Sequence, residues 1–150
     1  MEFIKAEWNP EWRGFWTDPS GYIAELPKLA PDLPKGALAF ASHPDHYDFG
    51  SSRCVKDLKF LDVSVAVERG VCLEIRFGPN EWKHDSGLVI SYAQVSRVNI
   101  RVHESGSSLQ DLGTVLLDEI LPEGFGCSHE IFLTGGVISI SCADLNARWG

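Results

Sequence analysis

Apolar and polar positions alternate with a period of two through much of this chain, the pattern of strands that turn one face to a core and the other to water. Leu61, Val63, Val65 and Val67 alternate with polar or small residues, Glu68-Arg69-Gly70 makes a turn, and Val71, Leu73, Ile75 and Phe77 alternate again. Farther along, the apolar runs 130–134 and 137–142 are divided only by Gly135-Gly136, which is a hairpin signal. Val98, Ile100 and Val102 repeat the rule against Arg97, Asn99, Arg101 and His103, giving one locally basic polar face. These patterns predict strands near 58–68, 71–77, 88–92, 95–103, 114–121, 129–134 and 137–142. The fold class is mainly β with minor α: an antiparallel sheet or sandwich built from hairpins, with residues 1–150 forming a single β-rich domain.

Three segments depart from the alternation. In 8–16, Asn9 is placed to cap a helix, Pro10 to occupy its first position and Glu11 to meet its positive end, so a short N-terminal helix is predicted with Trp8, Trp12 and Trp16 on one face, covering the sheet. Prolines at 27, 31 and 34 read as an extended segment over 26–36, anchored by Leu26, Leu29 and Leu33. Residues 143–149 read as a final helical turn packing Leu145 and Trp149, and 104–108 as a mobile loop.

Composition narrows the function classes. With 13 basic against 21 acidic residues the net charge is −8, which disfavours nucleic acid and anionic membrane partners and favours basic ones. A solvated surface accounts for that charge equally well, unless the carboxylates gather on one side. The N-terminus carries charges where a secretory signal needs an apolar stretch, and no apolar run has membrane-spanning length, so a cytoplasmic location is expected. Four widely spaced cysteines, Cys54, Cys72, Cys127 and Cys142, read as reduced thiols in a chain long enough to fold without crosslinks.

Candidate chemistry is sparse. His43, Asp45, His46 and Asp48 fall within six positions and are acceptable zinc ligands, yet the same letters describe an exposed turn whose histidines face solvent. His84-Asp85-Ser86 and Ser128-His129 contain residues of a nucleophilic relay, but neighbours on a strand point to opposite faces and cannot form one together. No nucleophile elbow, phosphate-binding loop or dinucleotide fingerprint is present. No catalytic residue, cofactor or metal is assigned, and an enzyme is not the favoured reading. Trp82 stands out among the five tryptophans because Glu81, Lys83, His84 and Asp85 flank it, the composition of a binding loop.

The stretch Phe77 to Leu88, and Gly126-Cys127-Ser128-His129-Glu130-Ile131 continuing through Asp144-Leu145 and Trp149, resemble small β-rich immunity proteins of bacterial polymorphic-toxin loci, including contact-dependent and type VI effector systems. That resemblance implies a cytoplasmic antidote that binds a cognate toxin domain and occludes its active site or holds it in an inactive shape. Residue chemistry assigns the contact to Glu81, Trp82, His84, Asp85, Asp118, Glu119 and Glu123, facing a basic surface on the toxin. Two alternatives stay open: a carbohydrate-binding or assembly β-module with an aromatic face, and a hydrolase or metal enzyme centred on His43, His46 and Asp48.

Overall fold

A computed structural model describes residues 1–103, 106 and 108–150. Glu104, Ser105 and Ser107 of the expected mobile loop lie outside the described residues. Ten strands form three antiparallel sheets: β1 (Lys5–Asn9) and β2 (Gly14–Asp18) make a separate hairpin, β3 (Lys59–Val67), β4 (Val71–Gly78), β5 (Leu88–Ala93) and β10 (Asp144–Trp149) make one four-stranded sheet, and β6 (Arg97–Val102), β7 (Val115–Glu123), β8 (Gly126–Leu133) and β9 (Gly136–Cys142) make another. The strand orders are β10-β5-β4-β3 and β6-β9-β8-β7. Their inner faces meet across one apolar core in which Ile75, Leu88, Ile90, Leu117, Ile120, Ile131 and Ile138 are almost wholly withdrawn from water.

The hairpin signals locate the turns. Glu68-Arg69-Gly70 closes β3 onto β4 with Val67 opposite Val71, and positive φ values at Arg69 (52°) and Gly70 (115°) let the chain reverse. Gly135-Gly136 joins β8 to β9, but neither residue has positive φ. They are glycines because backbone passes directly above them: a Cβ at Gly135 would lie 1.8 Å from the Asp111 carbonyl oxygen, and one at Gly136 2.1 Å from that of Arg101.

Three expectations are corrected. Residues 8–16 form the β1–β2 hairpin, with Asn9 Oδ1 accepting from the Glu11 and Trp12 N–H groups at 2.9 and 3.3 Å, so the residue that resembles a helix cap folds a turn instead. The tryptophans do not cover a sheet: Trp8, Trp12 and Trp16 are 55%, 65% and 39% exposed. The proline-rich stretch is helical, comprising α1 (Ser20–Leu29), a single 3-10 turn over Ala30–Asp32, and α2 (Lys35–Ala41). Pro31 sits in the first turn of its element and Pro34 just before α2, where a missing N–H costs nothing, leaving Pro27 as the one proline inside an α-helix. Residues 144–149 extend as β10 along β5, placing Leu145 and Ala147 opposite Tyr92 and Ile90.

The second helix covers the outer edge of β10. Asp144 Oδ1 and Oδ2 accept from the N–H groups of Ala37 and Gly36 at 2.9 and 3.0 Å, so its carboxylate caps α2 from another element. Gly36 permits the contact, since a Cβ there would stand 1.9 Å from the Leu145 carbonyl oxygen. Across the molecule, Glu119 on β7 accepts from the N–H groups of Glu2, Phe3 and Ile4 at 2.7, 2.7 and 2.8 Å and ties the first residues to that sheet. Among the described residues no helix is long and apolar enough to cross a membrane.

Candidate functional site

The connection between β4 and β5 is a hydrogen-bonded loop built around Asn80. Its carbonyl oxygen accepts from Lys83 and His84 N–H at 3.0 and 2.8 Å, its side chain accepts from Trp82 N–H at 3.0 Å, and its own N–H donates to His84 Nδ1 at 3.0 Å. His84 therefore uses Nδ1 as an acceptor, which leaves Nε2–H to donate to the Cys54 carbonyl at 2.7 Å. The ring is buried, neutral and stacked on Trp149 with centroids 6.0 Å apart. Lys83 also turns inward, pairing with Asp57 at 3.1 Å beside Lys56. Partial burial alone would raise the Asp57 pKa, but hydrogen bonds from Lys56 and Lys83 outweigh it and hold the carboxyl below its ordinary value.

With His84 and Lys83 committed inward, Trp82 is left standing outward between Glu81 and Asp85. The indole is 89% exposed, and both acidic neighbours are exposed too. Large apolar surface is normally buried, so an indole standing in water on a hydrogen-bonded loop is the feature of this site that calls for a role.

The other expected contact residues do not join this surface. His84 is the loop's anchor rather than part of its face. Asp118 and Glu119 are both 2% exposed, because β7 has neighbours on both faces and strand alternation sends the two carboxylates to opposite sides. Glu123 is exposed and lies 3.5 Å from Arg97, but it belongs to the opposite end of the strands: Cys127, adjacent to its partner Gly126, pairs with Cys142, next to the Asp144 end of β10, whereas the Trp82 loop adjoins the Trp149 end. An acidic face uniting Asp118, Glu119 and Glu123 with the loop is therefore absent.

Asp118 organises a different feature, which no local sequence pattern announces. Its Oδ1 lies 2.7 Å from His46 Nε2 and its Oδ2 2.7 Å from His129 Nε2. His46 Nδ1 is 2.9 Å from the Phe40 carbonyl oxygen, and His129 Nδ1 is 2.7 Å from the Tyr92 hydroxyl. A carbonyl only accepts, so His46 must carry a proton on Nδ1 and share a second between Nε2 and Asp118. The Tyr92 hydroxyl holds His129 Nδ1, and Asp118, which only accepts as a carboxylate, takes the proton of His129 Nε2. Burial would raise the Asp118 pKa, but the charge of His46 and the hydrogen bonds from both imidazoles reverse the shift and hold the carboxyl well below the usual range. Burial, reinforced by the Asp118 charge, pushes the Tyr92 hydroxyl well above its ordinary pKa and keeps it a donor.

This chain of Tyr92, His129, Asp118 and His46 has the residue types of a proton relay, yet every member is at most 2% exposed and, among the described residues, no serine or cysteine nucleophile is hydrogen-bonded to it. It crosslinks the two large sheets and the 42–58 loop. His46 thus departs from the solvent-facing expectation, while His43 is exposed and 3.9 Å from Asp45, and Asp48 accepts from Gly50 N–H on the surface. The His43, His46 and Asp48 centre does not converge, and among the described residues no three His, Cys, Asp or Glu side chains are placed to hold a metal ion. The four cysteines are free thiols; Cys127 and Cys142 face each other across β8 and β9 with sulfurs 3.7 Å apart. Ser128, next to His129, is on the other face of β8, consistent with strand alternation.

No family model, curated protein or solved structure matches the chain. Around the site His46, His84, His129 and Asp118 are enclosed in the core, and the outward-facing side chains, Glu81, Trp82 and Asp85, are aromatic and acidic.

Proposed function

We propose that this chain is an immunity-type inhibitor, a cytoplasmic protein that neutralises a toxin domain by covering its active site and performs no bond chemistry of its own. The observation that carries the reading is Trp82, 89% exposed on a loop whose Lys83 and His84 turn inward. A rigid indole loses little conformational freedom on binding, and Glu81 and Asp85 beside it suit a basic partner surface. The exclusion of the His46, Asp118 and His129 system from solvent favours binding over catalysis.

The test is co-expression with the variable C-terminal domain of a large toxin encoded beside this chain. Rescue of growth and nanomolar or tighter binding that weakens with added salt are expected. Trp82→Ala combined with Asp85→Lys is expected to weaken binding by at least about 30-fold and abolish protection, since a central indole contributes about 2 kcal/mol or more. Both positions are exposed, so the double variant keeps its fold, and unchanged unfolding midpoints are the control. Full protection by the double variant removes these residues from the interface; failure of every neighbouring toxin domain to bind removes the reading.

A further inference from the structure

The β1–β2 hairpin holds a second outward-facing feature, a concavity of about 440 Å3 with Glu7, Pro10, Glu11, Trp12 and Trp16 in its walls. Register explains how it forms. Glu7 and Trp16 are cross-strand partners and share one face, while Trp8 and Phe15 share the other, where their rings meet edge to face at 5.2 Å. The Asn9 side chain holds the turn by accepting from Glu11 and Trp12 N–H, and Arg13 completes it at a positive φ of 51°. Trp12 and Glu11 are thereby brought beside Trp16 and Glu7.

The chemistry of this cup is specific. Its indoles are 65% and 39% exposed, and neither Glu7 nor Glu11 is ion-paired among the described residues. Indole faces attract cations through their ring quadrupole, and a planar guanidinium can stack on an indole while directing its edge N–H groups at carboxylates. Anions are repelled. A sugar could stack on the indoles, but a neutral ligand leaves both carboxylate charges uncompensated.

We infer that the cup formed by Glu7, Glu11, Trp12 and Trp16 is a binding site for a guanidinium or ammonium group carried by a basic segment of a protein partner. The inference rests on the reading of this chain as a protein-binding module and adds the chemistry of what it recognises. It also places a contact on the N-terminal hairpin, separate from the Trp82 loop.

The test is an NMR titration of the full chain with a tetra-arginine peptide, following the indole N–H signals of its five tryptophans. The Trp12 and Trp16 signals are expected to shift in a saturable manner. Glu7→Gln with Glu11→Gln, which keeps the rings, and Trp12→Leu with Trp16→Leu, which keeps the charges, are each expected to weaken binding at least tenfold. All four positions are exposed, so folding is preserved. Equal affinity in the wild type and both double variants would show diffuse attraction to an acidic protein and overturn the inference. So would Trp12 and Trp16 signals that respond to methyl glucoside and not to the peptide. The titration involves no toxin domain: a negative result leaves the Trp82 reading standing, and a failed protection assay beside a positive titration overturns that reading and not the cup.

Discussion

Replacing Asp118 with alanine removes the acceptor that two buried imidazoles share. In the native protein His46 Nε2 and His129 Nε2 each lie 2.7 Å from its carboxylate, at an almost fully buried position. A hydrogen bond to a charged group contributes about 1.5–3 kcal/mol, and breaking a buried ion pair by deleting one partner costs about 3–5 kcal/mol. We expect Asp118→Ala to lose about 3–5 kcal/mol, which for a chain of this size lowers Tm by about 6–20 °C. Asp118→Asn is a milder change of nearly the same shape. Its amide oxygen accepts from His129, and its N–H donates to His46 Nε2 once that ring keeps only the proton it gives to Phe40, so every bond is filled without charge and the cost is about 1–2 kcal/mol at pH 7.

The pH dependence separates the two proteins further. The folded-state pKa of Asp118 is depressed, so its contribution is fully present above the unfolded value near 3.9 and is lost as pH falls below that toward the folded value. Asparagine has no such titration, so urea denaturation at pH 7, 5 and 3 should show a gap between wild type and Asp118→Asn that is similar at pH 7 and 5 and narrower at pH 3, where the wild type is losing its carboxylate. A loss under about 1 kcal/mol in Asp118→Ala, or a gap at pH 3 as wide as at pH 7, would refute the role assigned to the Asp118 carboxylate.

Two further outcomes follow from backbone contacts. Glu119→Ala removes the acceptor of three N–H groups, so the amides of Glu2, Phe3 and Ile4 should lose most of their hydrogen-exchange protection while those of β8 and β9 keep theirs; retained protection at Ile4 would contradict the tie. Gly36→Ala places a methyl group 1.9 Å from the Leu145 carbonyl oxygen and should destabilise by about 1–3 kcal/mol as α2 is pushed off β10, with a wild-type urea midpoint refuting the close approach.

Much of the architecture was legible because it is written in local periodicity. All seven strands read from alternation are present, the last two divided at Gly135-Gly136 as expected. In 8–16 and 143–149 the residue types favour a helix while the period favours a strand, and the period wins: Glu7, Trp8, Phe15 and Trp16 belong to paired strands, and Leu145, Ala147 and Trp149 alternate with Asn146 and Arg148, which is itself a strand signal. In 26–36 the prolines read as breaks, although proline at or before the first turn of a short helix removes no bond that the helix needs.

The candidate site divides along the same line. That Trp82 stands exposed followed from its charged neighbours alone, since nothing adjacent could bury it. That His84 anchors the loop, that Asp118 and Glu119 point into opposite interiors, and that His46 meets His129 through a shared carboxylate did not follow. Those contacts join residues 30, 72 and 11 positions apart. Chain chemistry by itself determined the seven strands written in clear alternation, where most of them turn and that Trp82 would meet water. Only folding decided which acidic and imidazole groups are partners, because pairing of buried charges depends on distances set by how the sheets pack, and a linear pattern carries no record of them.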